Sequence, residues 1–213
     1  GISEEAIKAL NQIADIGMME MQYQQYGCDA LKILGEVYET GKYQNIKAKV
    51  DRELAAKYYE RYIKLVEDGN LFYKLGLLML DIQNFSKAIT YLEKAASYDV
   101  SLAYMRLGDI YEKGLNRIDA NGQKSDFIVP IDIDKAKSWY QKLADKGDDK
   151  AKASVERIEY NATHADSIEF EEKDKIYSQI SEKRKAKGVE FRYKANDAAK
   201  LQYQYTYIHD QVE

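Results

Sequence analysis

The segment SLAYMRLGDIYEKG, residues 101–114, carries its apolar side chains at helical spacing. The spacing i, i+4, i+7, i+8 predicts an amphipathic helix, and its apolar stripe consists of Ala103, Leu107, Ile110 and Tyr111. Gly108 lies on the same stripe, where glycine costs about 1 kcal/mol of helix stability relative to alanine. We therefore expect a neighbouring backbone to approach closely at Gly108. Gly114 is expected to end the helix in a left-handed conformation.

A second helix is predicted in DIDKAKSWYQKLADKG, residues 132–147. Asp134 is the expected N-cap and Gly147 the expected stop. The apolar stripe of this helix consists of Ala136, Tyr140, Leu143 and Ala144. The two helices form a hairpin, and because one hairpin cannot bury its apolar face alone, further hairpins are expected to stack on it.

Similar hairpins are predicted twice upstream. DALKILGEVYETG, residues 29–41, aligns with the helix of residues 101–114, and VDRELAAKYYERYIKLVEDG, residues 50–69, supplies the second helix of that copy. A looser middle copy is LFYKLGLLMLDIQNFSKAITYLEKAASYD, residues 71–99. The Leu-Gly pairs of the three copies place glycines at 35, 76 and 108, which are 41 and then 32 residues apart. These spacings are typical of helix-hairpin repeats.

The first and last copies resemble Sel1-like repeats, which are related to tetratricopeptide repeats. The family pattern is matched in the last copy by Ala103, Leu107, Gly108, Tyr111, Gly114, Asp134, Lys135, Ala136, Trp139, Tyr140, Lys142, Ala144 and Gly147. In the first copy it is matched by Ala30, Leu34, Gly35, Tyr38 and Gly41. The middle copy is more similar to a plain tetratricopeptide repeat, with Leu75, Gly76, Ala88, Leu92 and Ala95 at its packing positions. The resemblance implies an all-α, right-handed superhelix of stacked helix hairpins.

The expected organisation has five segments. They are an N-terminal helix or orphan half-repeat (1–28), a Sel1-like repeat (29–69), a tetratricopeptide-like repeat (70–100), a Sel1-like repeat with a long insertion (101–155), and a C-terminal helix with a Tyr-rich capping segment (156–213). The inserted segment contains Asn121-Gly122, which suits a type I′ turn and predicts a small β-hairpin within residues 115–133.

The C-terminal segment changes its period. Every second residue is apolar at Val189, Phe191 and Tyr193, and again at Leu201, Tyr203, Tyr205 and Tyr207. A period of two favours strands, and a continued helix is the alternative. In either form we expect this segment to cover the end of the array, because terminal repeats need a cap.

Composition and charge exclude several classes of partner. Hydrophobic residues make up 45% and charged residues 32% of the chain, with a net charge of −4 at pH 7. A chain with this charge balance is not expected to attract nucleic acid or an anionic membrane strongly. No run of apolar residues approaches the roughly 20 that a membrane-spanning helix needs. The chain begins at Gly1 without a methionine, so cytoplasm and periplasm both stay open as compartments.

Residues that carry catalysis or bind metals are scarce and scattered. His164 and His209 are the two histidines, and neither has a second ligand type at helical spacing. Cys28, the lone cysteine, has no base near it in sequence. The loop DANGQKSD, residues 119–126, departs from the calcium-loop template in the position of its glycine. We therefore predict a protein that is not an enzyme and that holds neither a metal nor a cofactor.

The resemblance also implies a binding groove. In tetratricopeptide relatives the groove residues lie five and two positions before, and two and five after, the leucine of Leu-Gly. The corresponding residues here are Asp29, Lys32, Glu36, Glu39, Asn70, Tyr73, Leu77, Leu80, Leu102, Met105, Asp109 and Glu112. Lys32 and Asn70 alone resemble a clamp for a terminal carboxylate, so that mode is disfavoured.

The groove is apolar in its centre and acidic at its ends. By charge complementarity it fits a partner peptide with an apolar centre and basic flanks. The alternative is that Leu77, Leu80, Leu102 and Met105 pack on adjacent helices or under the C-terminal segment.

These observations favour a scaffold or adaptor that binds another protein without bond chemistry. One alternative is an inhibitor or immunity-type subunit that blocks a partner enzyme with its acidic face. A hydrolase, as proposed for some disulfide-rich relatives, is less favoured because their disulfides are absent from this chain.

Overall fold

A computed structural model of the protein describes residues 1–165, 173–176 and 178–179. The chain divides into two compact units, residues 1–155 and 156–213. The predicted strands between residues 189 and 207 lie outside the described residues, as does His209.

Helices dominate the described part of the chain. The α-helices are α1 (Ile2–Met19), α2 (Gln24–Thr40), α3 (Arg52–Ile63), α4 (Gly69–Asp81), α5 (Phe85–Ser97), α6 (Ser101–Lys113), α7 (Ile133–Ala144) and α8 (Asp149–Thr163). A 3₁₀ turn, Met21–Tyr23, separates α1 from α2. Four short strands form two antiparallel hairpins: β1 (Lys42–Tyr43) with β2 (Ile46–Lys47), and β3 (Leu115–Ile118) with β4 (Lys124–Val129).

Consecutive helices pack against each other as hairpins. The most extensive contacts join α1 with α2, α2 with α3, α4 with α5, and α6 with α7, while α3 with α4 and α5 with α6 link successive hairpins. The apolar stripes of these helices face inward, and the largest fully buried side chains are Tyr140, Leu31, Leu34, Leu75, Leu92, Leu107 and Val37. The predicted all-α solenoid of helix hairpins is therefore confirmed within residues 1–155.

The glycines of the Leu-Gly pairs lie against side chains of the partner helix. Gly35 packs on the ring of Tyr59, and Gly108 packs in the same way on the ring of Tyr140. A Cβ at either glycine would overlap the ring. The prediction that a neighbouring backbone approaches Gly108 is wrong in this respect, because the space that the missing Cβ leaves is filled by an aromatic side chain.

Close backbone contact occurs instead between α1 and α2. Gly17 and Gly27 face each other there, and a Cβ at Gly17 would lie 2.7 Å from the backbone nitrogen of Gly27. The sequence comparison did not single out this pair, because α1 has no counterpart of the Leu-Gly motif. The two glycines let the first helix pair approach backbone to backbone.

Helix ends differ from two of the predictions. The N-cap of α7 is Asp132, whose side chain accepts a hydrogen bond from the backbone N–H of Lys135, and not Asp134, which lies in the first turn. Gly114 has a φ of 67° but a ψ of 174°, so it leads the chain into β3 and does not form a left-handed cap. Gly41 does form one, with φ 87° and ψ −3°.

The Asp132 cap gives a test of this correction. Asp132→Ala is expected to lower the free energy of unfolding by about 1 kcal/mol, because the backbone N–H of Lys135 loses its hydrogen-bond acceptor and the N-terminus of α7 loses a negative charge. Asp134→Ala removes the same charge from the first turn without removing a cap hydrogen bond and is expected to cost less than about 0.5 kcal/mol. Urea unfolding of both variants measures the difference, and equal losses would contradict the assignment of the cap to Asp132.

The two β-hairpins occupy the lengthened loops of the array. The β3–β4 hairpin appears where a hairpin is predicted, but its connection is a five-residue loop, Asp119–Gln123, in which Gly122 is left-handed and Asn121 is not. The predicted type I′ turn at Asn121-Gly122 is therefore wrong. The Asp119 carboxylate instead accepts hydrogen bonds from the backbone N–H groups of Asn121 and Gln123 at 2.8 Å each. The β1–β2 hairpin was not predicted.

Gln83, in the turn between α4 and α5, holds the β3–β4 hairpin in place. Its side-chain amide donates to the carbonyl of Ile118 at 2.9 Å, and its side-chain oxygen accepts from the N–H of Ile118 at 2.6 Å. Gln83 itself has a φ of 59°, which is unusual for a residue other than glycine. The β3–β4 hairpin is thus attached to the middle repeat by two hydrogen bonds between the Gln83 side chain and the backbone of Ile118.

Candidate functional site

The predicted groove residues lie on the first helix of each hairpin. Four are on α2 (Asp29, Lys32, Glu36, Glu39), four on α4 (Asn70, Tyr73, Leu77, Leu80) and four on α6 (Leu102, Met105, Asp109, Glu112). None of them is buried, and Leu102 is 60% exposed. Leu77, Leu80 and Met105 are half-buried, so they combine contact with neighbouring helices and access to a partner.

A cleft between α2 and α4 brings three of these residues together. It has a volume of about 400 Å³ and is lined by Glu39, Tyr73, Lys74, Leu77, Leu78 and Asp81. Tyr73 and Leu77 are half-buried in its wall. The cleft therefore presents an apolar surface with charged side chains at its border.

One ion pair crosses this cleft. The Nζ of Lys74 lies 2.8 Å from Oε2 of Glu39, and the Tyr59 hydroxyl donates to the same oxygen at 2.8 Å. Lys74 also donates to the Tyr59 hydroxyl at 3.2 Å. Glu39 is therefore already engaged by two donors, which reduces the negative charge that it offers to a partner.

A second ion pair links α2 to Asp68, the N-cap residue of α4. Lys32 lies 3.5 Å from the carboxylate of Asp68 and 4.6 Å from the centre of the Tyr62 ring. The Tyr62 side chain, followed by Asp68, raises the pKa of Lys32 above its ordinary value. Lys32 is thus firmly cationic and faces the junction of the first and middle repeats.

The acidic residues of α6 contact a buried tyrosine of α7. The Tyr140 hydroxyl lies 2.8 Å from Oδ1 of Asp109 and 2.9 Å from Oε2 of Glu112. Burial raises the pKa of Tyr140 well above its usual range, and the two carboxylates act in the same direction. Tyr59 has a raised pKa for the same reasons, burial first and then Glu39. Both hydroxyls remain protonated at neutral pH and donate to groove carboxylates.

A second cleft connects α4 with the turn before α6. Its lining includes the predicted residues Asn70 and Leu102, together with Gly69, Tyr98, Asp99, Val100 and Ser101. The Tyr98 hydroxyl donates to the carboxylate of Glu67 at the same junction. The structure thus places predicted groove residues at both junctions of the middle repeat.

A larger cleft lies away from the predicted groove. It has a volume of about 790 Å³ and lies between the α4–α5 turn and the β3–β4 hairpin, with Gln83, Arg117 and Lys124 in its lining. None of the predicted groove residues contributes to it. Sequence comparison missed this cleft because the hairpin is an insertion without a counterpart in the other repeats.

The residues considered for chemistry do not form a reactive centre in the described ranges. Cys28 is 3% exposed, and burial raises the pKa of its thiol, which opposes thiolate formation. His164 is exposed and stacks on the Tyr160 ring, with 4.1 Å between ring centres. Within residues 1–165, 173–176 and 178–179 no group of three His, Cys, Asp or Glu side chains is placed to hold a metal. Nor is any helix of these ranges long and apolar enough to cross a bilayer.

Lys74, Leu78 and Asp81 are cleft residues that sequence reasoning did not identify. Lys74 directly precedes the Leu-Gly pair of the middle copy, at a position where the other two copies have Ile33 and Arg106. Its pairing with Glu39 depends on the register between successive hairpins. A spacing pattern within one repeat carries no information on that register.

Comparisons with solved structures found ten matching chains, which include the following two proteins. One is a Sel1 repeat protein from Oxalobacter formigenes, 20% identical, with a TM-score of 0.43 over 71% of this chain and 98% of that chain. The other is a protective antigen present in uropathogenic Escherichia coli strains that displays an SLR fold. It is 19% identical, with a TM-score of 0.45, and the match covers 73% of this chain and 34% of that chain. Among curated proteins no match to the chain was found.

The family comparison matches most of the helical array. The Sel1 repeat model matches residues 28–64, 69–97, 101–125 and 120–148. Sel1 repeats are typically non-enzymatic scaffolds for protein–protein interaction. Because these matches follow the helix hairpins described above and cover more than half of the sequence, the chain belongs to the Sel1 repeat family.

Proposed function

We propose that this protein is a non-enzymatic scaffold that binds a segment of a partner protein across the exposed faces of α2, α4 and α6. The single observation that carries the proposal is the α2–α4 cleft, where half-buried Tyr73 and Leu77 form an apolar wall bordered by the Glu39–Lys74 ion pair. An apolar surface bordered by charge fits a peptide that buries a few apolar side chains and pairs its own charges at the border.

The partner segment is expected to have an apolar centre and basic flanks. Asp29 and Glu36 are exposed on α2, and Asp109 and Glu112 are half-buried on α6, so carboxylates lie on both sides of the α4 surface. Lysine or arginine side chains of the partner would gain these carboxylates as neighbours. Such charges contribute mainly to association rate and orientation, and the apolar contacts contribute most of the affinity.

The experiment uses fluorescence anisotropy with labelled peptides of one apolar core sequence, flanked by lysines, glutamates or serines. The lysine-flanked peptide is expected to bind most tightly, and its affinity is expected to fall as salt concentration rises. Asp29→Asn with Glu36→Gln should weaken this peptide by roughly three- to tenfold, since each exposed carboxylate contributes about 0.5 kcal/mol or more.

A matched control separates the groove from the general charge of the protein. Glu93→Gln with Glu53→Gln removes two exposed carboxylates, one on α5 and one on α3, outside the proposed surface, and should leave the affinity unchanged. Glu39, Asp109 and Glu112 are left intact, because they are hydrogen-bonded to buried tyrosines and their loss would also affect folding. Equal binding of all three peptides, or no response to the double variant, would remove the groove assignment.

A further inference from the structure

The cleft between the α4–α5 turn and the β3–β4 hairpin is partly apolar. Four apolar residues line it: Phe85, which is 7% exposed, half-buried Ile82, and Ile118 and Ile128, which are 51% and 50% exposed. The cleft has a volume of about 790 Å³, which is many times the roughly 30 Å³ of a water molecule. A ligand of this cleft can therefore bury apolar groups of its own, which a small inorganic ion does not have.

The two walls of this cleft are held together. The side chain of Gln83, from the α4–α5 turn, bonds both the N–H and the carbonyl of Ile118 in β3. These two bonds fix the distance between the turn and the hairpin, so the cleft exists before any partner arrives. A preformed site spares a ligand the cost of ordering it.

Two cationic residues line the cleft at neighbouring positions of the hairpin. Arg117 lies in β3 and Lys124 in β4, and both are exposed. Lys124 is paired in register with Ile118, the residue that follows Arg117. Neither cationic side chain has an ion-pair or hydrogen-bond partner among the residues that the structure describes. Like charges at adjacent positions of a hairpin repel each other, and an anionic ligand relieves this repulsion.

The acidic residue of the cleft does not pair with these cations. Asp119 is the only acid among the described residues that line it, and its carboxylate accepts from the backbone N–H groups of Asn121 and Gln123 in its own loop. Between α3 and α5, by contrast, Lys87 pairs with Glu60 at 2.8 Å. Two cations against one carboxylate leave the cleft positive, in a chain whose net charge is −4.

We propose that this cleft is a second interaction surface, which binds an acidic segment of a partner protein. The segment is an extended stretch in which carboxylates flank one or two apolar side chains. Its carboxylates pair with Arg117 and Lys124, and its apolar side chains cover Ile118 and Ile128. None of the residues of the proposed α2–α4–α6 surface lines this cleft, and the charge preference of the two surfaces is opposite.

Unpaired polar groups in the cleft suit a peptide backbone. The side-chain amide of Gln123 and the hydroxyl of Ser86 line the cleft, and within the described part of the chain neither has a hydrogen-bond partner. They can donate to and accept from the peptide groups of an extended segment. A nucleic acid fits less well, because two cations neutralise few phosphates and the rest of the protein is negatively charged.

The first test measures the charge preference by fluorescence anisotropy. A labelled peptide with a short leucine core and glutamate flanks is expected to bind about three- to tenfold more tightly than its glutamine-flanked version, with an affinity that falls as salt rises. Arg117→Gln with Lys124→Gln should remove this advantage. Arg106→Gln with Lys57→Gln is the matched control, because it removes the same two charges from exposed positions of α6 and α3. It should leave the affinity unchanged.

The second test uses Gln83→Asn, which leaves every charge in place. Asparagine tolerates the left-handed backbone at this position, but its side chain is one methylene shorter and cannot keep both bonds to Ile118. We expect the glutamate-flanked peptide to bind at least about threefold more weakly, because the hairpin is no longer held against the turn. Binding of the lysine-flanked peptide to the α2–α4–α6 surface should not change.

Several results would overturn the proposal. They are a glutamate-flanked peptide that binds no more tightly than the glutamine-flanked one, an affinity that does not respond to the loss of Arg117 and Lys124, and an affinity that is unchanged in Gln83→Asn. Equal displacement of the peptide by inorganic phosphate or by a short single-stranded oligonucleotide would also overturn it, since the cleft would then take another class of ligand. Asp29→Asn with Glu36→Gln should not weaken the glutamate-flanked peptide, so failure of either surface is seen independently of the other.

Discussion

Replacing Tyr140 with alanine is expected to lower the free energy of unfolding by about 3–5 kcal/mol, which is the usual cost of removing a buried aromatic ring. Tyr140 is 1% exposed, and its ring fills the space beside Gly108 between α6 and α7. Without the ring, a cavity forms at the centre of the last hairpin. Urea unfolding followed by circular dichroism measures the loss. Tyr160→Ala makes the same substitution at a side chain that is 57% exposed and should cost less than about 1 kcal/mol.

Tyr140→Phe separates the contribution of the ring from that of the hydroxyl. The phenylalanine keeps the packing on Gly108 and loses the hydrogen bonds to Asp109 and Glu112, so we expect a loss of about 1 kcal/mol. A loss as large as that of the alanine variant would mean that the hydroxyl network, and not the ring packing, holds the hairpin together.

Gly108→Ala is expected to destabilise the protein by about 1–2 kcal/mol, although alanine is the better helix former. The added Cβ overlaps the Tyr140 ring, and overpacking of this kind costs more than the roughly 1 kcal/mol that the helix gains. The free energy of unfolding of the single variant measures this balance directly. Gly76→Ala should cost less, because the side chain beside it is the more flexible Leu92.

The two substitutions are expected to be strongly coupled. In a Tyr140→Ala background the overlap no longer exists, so Gly108→Ala should become stabilising by about 1 kcal/mol. A destabilising effect of the same size in both backgrounds would show that the ring does not determine the requirement for glycine at this position.

Helix positions and the repeat architecture could be predicted because they depend on local periodicity. The stripe through Ala103, Leu107 and Tyr111 is buried as its spacing predicts, and so is the stripe of α7 at Ala136, Tyr140 and Leu143. Apolar side chains three and four residues apart lie on one face of a helix, so they are buried together when that face packs against another helix. This signal is contained within a dozen residues.

Features that depend on neighbouring segments were predicted less well. Aspartate is a favoured N-cap residue, so the residue type alone does not distinguish Asp132 from Asp134. The first residue of α7 depends on where the inserted β3–β4 hairpin ends, which the local sequence does not show. The approach to Gly108 was assigned to a backbone because the sequence indicates only that space is needed. The identity of the group that fills the space, the Tyr140 ring, follows from the pairing of two helices.

For the binding site too, positions within one helix could be predicted, whereas contacts between helices could not. The spacing around Leu-Gly placed the groove residues on exposed or half-buried positions of α2, α4 and α6. It could not indicate that Glu39 pairs with Lys74, or that Asp109 and Glu112 contact Tyr140, because these contacts join different helices. Whether these faces bind a partner remains a prediction for the peptide experiment.

The packing of a tyrosine ring on the glycine of the Leu-Gly pair in the first and last hairpins can be measured directly by NMR. In the wild-type protein, one α-proton of Gly35 and one of Gly108 should be shifted upfield by the rings of Tyr59 and Tyr140, with nuclear Overhauser effects from each glycine to its ring. The upfield shift at Gly108 should disappear in Tyr140→Leu while that at Gly35 persists. Ordinary glycine α-proton shifts at both positions, without contacts to the rings, would contradict the hairpin packing on which this account is built.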